Sequence, residues 1–209
     1  EEGMYLDGDS ICLRFQGNQY EICQTEECHL VGVCNYENIM AASGMAYCLG
    51  IPMEIIQKTV REFRAVEHRI EFVEEIRGVR YYNDSKGTNP DAAIQGIKAM
   101  TRPTFVIGGG YDKGSEYDDW IGEFGQKVKK LVLLGQTAEK IAACARKHGF
   151  QDIVFVSDLK EAISYCAKEA KPGDAVLLSP ACASWGMFKN YEERGRIFKE
   201  LVRQLDYGN

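Results

Sequence analysis

From residue 79 to residue 205 the chain alternates short, continuous apolar runs with longer segments of helical periodicity, and no other feature constrains the fold as much. Residues 79–82, 104–107, 131–134, 153–156 and 175–178 read as strands. Helices are expected over residues 91–100, 117–128, 137–148 and 158–170, with a last one ending near Leu205. Strands that are apolar at every position are buried on both faces, which calls for a parallel sheet covered by helices on each side. Right-handed crossovers then bring every strand's C-terminal end to one edge. The expected class is α/β: a Rossmann-like, mostly parallel sheet with helices on both faces.

The first third reads differently. Residues 11–15, 19–23 and 30–33 are β-prone, with Gly17-Asn18 as a hairpin turn between the first two. Helices are expected over residues 38–49 and 53–63, and a hairpin over residues 70–76 and 79–82 across Arg77-Gly78. The boundary between the two halves is placed near residues 66–68, giving expected domains of 1–66 and 67–209.

Three polar or glycine-rich loops follow strands of the second half, so the topology gathers them on one edge, where open α/β sheets bind ligands. The first is Asp84-Ser85-Lys86-Gly87-Thr88-Asn89-Pro90. It reads as a capped turn, with Ser85, Thr88 or Asn89 as N-cap and Pro90 at the first helical position, or as an anion site at a helix N-terminus. The second, Gly108-Gly109-Gly110-Tyr111-Asp112-Lys113-Gly114, lets backbone approach a ligand. It is not a dinucleotide fingerprint: the spacing is GxGxxxG, and the next strand ends Leu134-Gly135 without an acidic ribose ligand. Lys113 there suits a carboxylate or a phosphate. The third, Ser179-Pro180-Ala181-Cys182-Ala183-Ser184, is rich in small residues. Ser184 is a donor for a carboxylate, and Cys182 reads as packing because no histidine lies in its segment. Elsewhere, Asn35 and Asn38 share a helical face and read either as N-caps or as partners for an adenine edge. Arg69, beside His68, is a surface cation or a phosphate fork.

Composition narrows the function classes. The net charge is −6 and no basic run could track a phosphate backbone, which argues against nucleic acid as partner. No apolar run is long enough to cross a bilayer, so membrane insertion is not expected. The eight cysteines form no CxxC pair and read as reduced, which with the absence of a signal-peptide pattern makes the cytoplasm the expected location. The chain opens Glu1-Glu2-Gly3 and is expected to be a fragment or processed form.

These motifs occur in the order seen in the Mur ligases: Asn35-Tyr36-Glu37-Asn38, His68-Arg69, the loop from Asp84 to Asn89, the glycine–lysine loop, Leu178-Ser179-Pro180-Ala181-Cys182-Ala183-Ser184, and Phe188-Lys189-Asn190-Tyr191-Glu192-Glu193-Arg194-Gly195. The resemblance covers almost the whole chain, and is strongest to the branch adding D-glutamate. Folylpolyglutamate synthases share the architecture but match the third loop poorly. Two departures are Cys34, where the family often has His, and Gly186, where an acidic residue is common. No GxxxxGK[ST] phosphate loop occurs, so the resemblance implies that residues 1–66 are the truncated end of an α/β ATPase domain and residues 67–209 the amino-acid-binding domain.

The resemblance further implies the chemistry. ATP, used with Mg2+, phosphorylates the carboxylate of UDP-N-acetylmuramoyl-L-alanine, and the D-glutamate amine displaces phosphate from the acyl phosphate, in peptidoglycan synthesis. Asn35 and Asn38 would contact adenine, and Arg69 and Asp84 the phosphate and ribose end. Lys86 would be the catalytic cation facing the transferring phosphoryl. Thr88 and Lys113 would hold the α-carboxylate of D-glutamate, and Ser184 with the backbone at Tyr191 its side-chain carboxylate. No metal ligand is expected in this chain. The isolated chain is expected to be inactive. Rival readings are a sister ligase with another amino-acid acceptor and a non-catalytic module binding an acidic metabolite.

Overall fold

The computed structural model describes residues 2–64 and 66–205. The chain divides into two compact units, Glu1–Ala65 and Val66–Asn209.

The first unit is an antiparallel sheet of β1 (Gly3–Asp7), β2 (Ser10–Phe15) and β3 (Asn18–Gln24), with helices α1 (Val33–Cys48) and α2 (Met53–Glu62). Ile11, Leu13, Ile22, Leu30, Ile39 and Ile56 form its core. β1 was not expected from the sequence: its five residues include Gly3, half-buried Met4 and Tyr5, and exposed Leu6, which leaves no clean alternation. The β2–β3 turn is Gln16-Gly17, one residue earlier than expected, because Phe15 pairs with Asn18. Both turn residues have positive φ, the conformation whose twist matches the strands it joins. Residues 30–33 form no strand. Gly32, at φ 97, stops extended pairing and serves as the N-cap of α1, which therefore begins five residues before the expected start.

The second unit carries the six-stranded sheet. Its strands are β4 (Glu71–Ile76), β5 (Val79–Asn83), β6 (Thr104–Gly108), β7 (Val128–Leu133), β8 (Ile153–Phe155) and β9 (Ala175–Leu178), in the order β4-β5-β9-β6-β7-β8. Only β4 runs antiparallel, joined to β5 by the Arg77-Gly78 hairpin; the other pairings are parallel. Helices α3 (Pro90–Ala99), α4 (Asp118–Gly122), α5 (Ala138–Lys147), α6 (Leu159–Glu169) and α7 (Tyr191–Gln204) complete it. Successive strand residues point to opposite faces. Phe105, Ile107, Val176 and Leu178 accordingly meet Ile163 and Cys166 of α6 and Phe198 and Val202 of α7. α3 packs on α4 and α4 on α5. The expected helix over 117–128 shrinks to α4, since Gly122 and Gly125 interrupt it and Val128 joins β7 opposite Thr104.

The strand order positions the site. β5, β9 and β6 are neighbours, so the loops after them stand side by side. The chain leaves β5 and β6 toward helices on one face and β9 toward α7 on the other. The loops thus diverge on either side of β9, and such a switch point opens a crevice at the strands' C-terminal ends.

Candidate active site at the C-terminal edge of the sheet

The first loop is built inward from its acid. Asp84 is almost fully buried; Ser179 Oγ donates to its Oδ2 at 2.7 Å and the Ile70 N–H to its Oδ1 at 3.3 Å. Burial pushes the carboxyl up to about 7, against the opposing pull of these hydrogen bonds and of the Arg69 and Arg194 charges. The loop then turns tightly, the Gly87 N–H donating to the Asp84 carbonyl. Gly87 is required there, because a Cβ would stand 2.7 Å from Asp84 Oδ2. Lys86 is half-buried, with Nζ 5.8 Å from the Tyr191 ring centroid. Thr88 is half-buried, and Asn89 is the N-cap of α3, its Oδ1 accepting from the Ala92 N–H at 2.9 Å. The capping and anion readings of this loop are therefore compatible: Asn89 caps, which leaves Lys86 and Thr88 uncommitted to the cap.

The second and third loops are stitched together. The Gly109 N–H donates to the Pro180 carbonyl at 2.8 Å and the Tyr111 N–H to the Ala183 carbonyl at 2.9 Å. Any side chain at Gly110 would collide with the Ala183 carbonyl, 2.3 Å from an added Cβ. Lys113 is exposed, its Nζ 4.7 Å from the Trp185 ring centroid. Trp185 also packs against Tyr111. Cys182 is buried between the Tyr117 hydroxyl and Thr137 Oγ1, each 3.2 Å from its sulfur, and burial raises its thiol pKa. Ser184 is buried at the end of this loop. Tyr191 opens α7 behind the N-cap Asn190, so its N–H belongs to the first turn, where no intrahelical acceptor exists. Its carbonyl accepts from Ser85 Oγ at 2.8 Å.

The remaining expected residues are distributed as follows. Arg69 is exposed in the segment before β4. Asn35 and Asn38 lie in the first two turns of α1, not at its cap. Asn38 is exposed, whereas Asn35 is buried with its side-chain amide donating to the Val31 carbonyl at 2.8 Å. Loop topology thus brings Lys86, Thr88, Lys113, Ser184 and Tyr191 to one edge of the second unit, while the asparagines belong to the first unit.

Sequence reasoning missed the parts that hold the edge together. Arg194 is buried and ties two loops: Nη2 donates to the Ser85 carbonyl, Nε to Ser85 Oγ, and Nη1 to the Cys182 carbonyl at 3.1 Å. Burial lowers its guanidinium to about 10. A signal existed, since Arg194, Phe198 and Val202 share one core-facing stripe of α7, and a charge on such a stripe needs a buried partner. Asn83 was missed too. Its amide bridges His68 Nδ1 and Glu71 Oε2, both at 3.0 Å, which fixes the start of β4 against the end of β5.

A mostly parallel, doubly covered sheet with a glycine-lined edge carrying Lys86 and Lys113 at its switch point defines the class of an open α/β unit with a candidate anion site. Residues 68–182 match the family described as "Mur ligase, glutamate ligase domain", and this chain belongs to the Mur ligase family. It is 56% identical over 205 residues to the UDP-N-acetylmuramoylalanine–D-glutamate ligase of Lachnoclostridium phytofermentans, covering 98% of this chain and 45% of that relative. The chain thus spans about half the length of the curated relatives it matches. Among solved structures, it resembles a UDP-N-acetylmuramate–alanine ligase from Thermotoga maritima (TM-score 0.65, 15% identity, 94% of this chain and 44% of that one). It also resembles a MurF ligase from Thermotoga maritima in complex with ADP (TM-score 0.56, 17% identity, 98% and 46%). At such identities these likenesses speak for the fold.

Proposed function

We propose that the whole protein is an ATP-dependent amide-bond ligase that adds D-glutamate to UDP-N-acetylmuramoyl-L-alanine, and that residues 67–209 are its amino-acid-binding domain. Residues 1–66 are then the end of its ATP-binding domain. The observation that carries this reading is the adjacency of three loops at one sheet edge, which between them carry Lys86, Thr88, Lys113 and Ser184, with the N-terminus of α7 following the third. A dianionic amino acid needs such a set. The D-glutamate-ligase name of the Lachnoclostridium phytofermentans relative supports the choice of acceptor.

In this reading Lys113 and Thr88 hold the α-carboxylate of D-glutamate. Ser184 Oγ and the Tyr191 N–H, at the positive end of α7, hold the side-chain carboxylate. So gripped, the amine is presented to the acyl phosphate. Its lone pair forms the C–N bond, phosphate leaves with the C–O pair, and the nitrogen loses its proton. Lys86 stabilises the charge on the transferring phosphoryl group, a role of positioning and electrostatics. In the same reading Asn35 and Asn38 of the first unit contact adenine, Asn38 being exposed and Asn35 buried with its amide donating to Val31, and Arg69 of the second unit is an exposed fork for phosphate. Asp84, placed by the resemblance at the phosphate and ribose end, is almost fully buried and bonded to Ser179 and Ile70, so its part in this reading is to fix the loop that carries Lys86. ATP is used as its Mg2+ complex. The three loops offer no trio of metal-ligating side chains among the described residues.

No helix among the described residues is long and apolar enough to cross a membrane. The described cysteines carry no disulfide, which supports a reducing, cytoplasmic setting.

The test is phosphate release by the full reading frame with ATP, Mg2+ and UDP-N-acetylmuramoyl-L-alanine across a panel of amino acids. Release with D-glutamate alone is expected. Release with another amino acid only would move the protein to a sister activity, and none with any would overturn the ligase reading. The 209-residue chain itself is expected to show no D-glutamate-dependent ATP hydrolysis.

A further inference from the structure

Away from the loop edge, three side chains of metal-binding chemistry converge where α4 begins and α5 ends. Asp118 is the first residue of α4, and Cys144 and His148 lie at the end of α5, with His148 as its C-cap residue. A spacing of four residues stacks the thiol and the imidazole on one helix face. A carboxylate oxygen of Asp118, the Cys144 sulfur and a ring nitrogen of His148 all lie within 4.8 Å of one another. His148 Nε2 is 2.9 Å from Asp118 Oδ1. Among the described residues no other trio of His, Cys, Asp or Glu side chains converges in this way.

We propose that Asp118, Cys144 and His148 form a binding site for a thiophilic divalent cation of the zinc class. Thiolate, imidazole and carboxylate are the donors that Zn2+ takes in tetrahedral sites, at about 2.0–2.3 Å. Ligand atoms around such an ion stand roughly 3.3–3.7 Å apart, so a trio already within 4.8 Å needs only side-chain rotation. On binding, the Cys144 thiol releases its proton to solvent, and His148 coordinates through Nε2 with its own proton on Nδ1. Lys147 Nζ, now 2.9 Å from Asp118 Oδ1, gives way easily because its side chain is 73% exposed. Water fills the fourth position, or Glu116, whose charge already acts on Cys144.

An exposed ion-pair cluster is the plain alternative, and it accounts for Asp118, Lys147 and His148. It does not account for the sulfur. Cys166 shows what a packing cysteine does here: it is fully buried in the core. Cys144 instead is half-buried, and its sulfur stands within 4.8 Å of both the Asp118 carboxylate and the His148 ring. A metal at this point would pin α4 to α5. Since α4 directly follows the loop with Lys113, it would also brace that loop's far end.

The test is a Co2+ titration of the 209-residue chain under a non-chelating reductant, read by the near-ultraviolet thiolate-to-cobalt charge-transfer band. It is run in a Cys23→Ser/Cys28→Ser background, because those two sulfurs lie 3.2 Å apart and form a competing dithiol. The expected result is a band that saturates at one equivalent and disappears in Cys144→Ser. Asp118→Asn and His148→Ala, both at exposed or half-exposed positions, are expected to weaken Co2+ binding roughly tenfold or more with unchanged far-ultraviolet circular dichroism. Absence of the band, its survival in Cys144→Ser, or unchanged affinity in both other variants would overturn the proposal.

Discussion

The Arg194 guanidinium grips Ser85 at two points: Nη2 donates to its carbonyl at 2.7 Å and Nε to its hydroxyl at 2.9 Å. The same hydroxyl donates on to the Tyr191 carbonyl. A single cation on α7 therefore sets the backbone from which Lys86 projects, one residue beyond.

This predicts that Arg194→Lys is not conservative. An ammonium keeps the charge but not the planar fork. The buried Ser85 and Cys182 carbonyls then lose donors, at a cost of about 2–4 kcal/mol. A urea-unfolding midpoint for Arg194→Lys equal to wild type would refute the network as drawn.

Gly195 faces the His68 ring, and a Cβ there would sit 2.2 Å from Nδ1. Asn83 anchors that ring, so it cannot swing aside. Gly195→Ala is expected to cost about 1–3 kcal/mol through overpacking. In a His68→Ala background the same change should cost less or turn neutral, because the ring clash is gone, alanine gains roughly 1 kcal/mol of helix propensity, and only the 3.1 Å approach to Asn83 Nδ2 remains. The coupling is measured as a double-mutant cycle in denaturant.

Asp84 predicts a pH dependence of stability. Its folded pKa, about 7, lies above the ordinary carboxylate value of 3.8. Between those values the folded state binds the proton and the unfolded state does not, so stability falls as pH rises from about 4 to about 7. His68 acts oppositely: burial lowers its pKa, and its contribution is lost as pH falls below the ordinary histidine range. Comparing melting temperatures of wild type and Asp84→Asn across this range isolates the acid. The variant should gain on wild type as pH rises, and parallel curves would count against the assignment.

Lys113→Met removes the charge while keeping an aliphatic stem on Trp185. Its exposed position predicts a stability change within about 0.5 kcal/mol. On the proposed ligase reading, the change in the whole protein should weaken calorimetric binding of UDP-N-acetylmuramoyl-L-alanyl-D-glutamate by about 1.5–3 kcal/mol, the scale of a charge-assisted hydrogen bond. Unchanged affinity would remove Lys113 from the carboxylate grip.

The legibility of the sequence followed the range of the forces involved. β9 was readable because all four of its residues are apolar, and Asn89 with Pro90 announced α3 locally. The three loops were found because each lies between a clear strand and a helix. β1 and the early start of α1 were missed because their half-buried positions show no clean period. α4 was overextended because Gly122 and Gly125 were outweighed by an amphipathic run around them. Arg194 escaped because its partners, Ser85 and Cys182, are distant in sequence and lack the opposite charge that marks an ion pair. Of the two readings left open for Asn35 and Asn38, the N-cap one falls because Gly32, not a side-chain acceptor, begins that helix.

β9 is the last strand of the chain and takes a central place in the sheet, between the much earlier β5 and β6. During synthesis those two strands emerge with no partner on their facing edges. The loop with Lys86 and the loop with Lys113 cannot acquire their spacing until residues 175–178 slot between them. Long-range closure of this kind is slow and leaves open edges in the meantime. The side-by-side placing of these loops is thus a late product of folding, and a chain truncated before residue 175 would carry the residues of every helix through α6 but leave β5 and β6 without the strand that joins them.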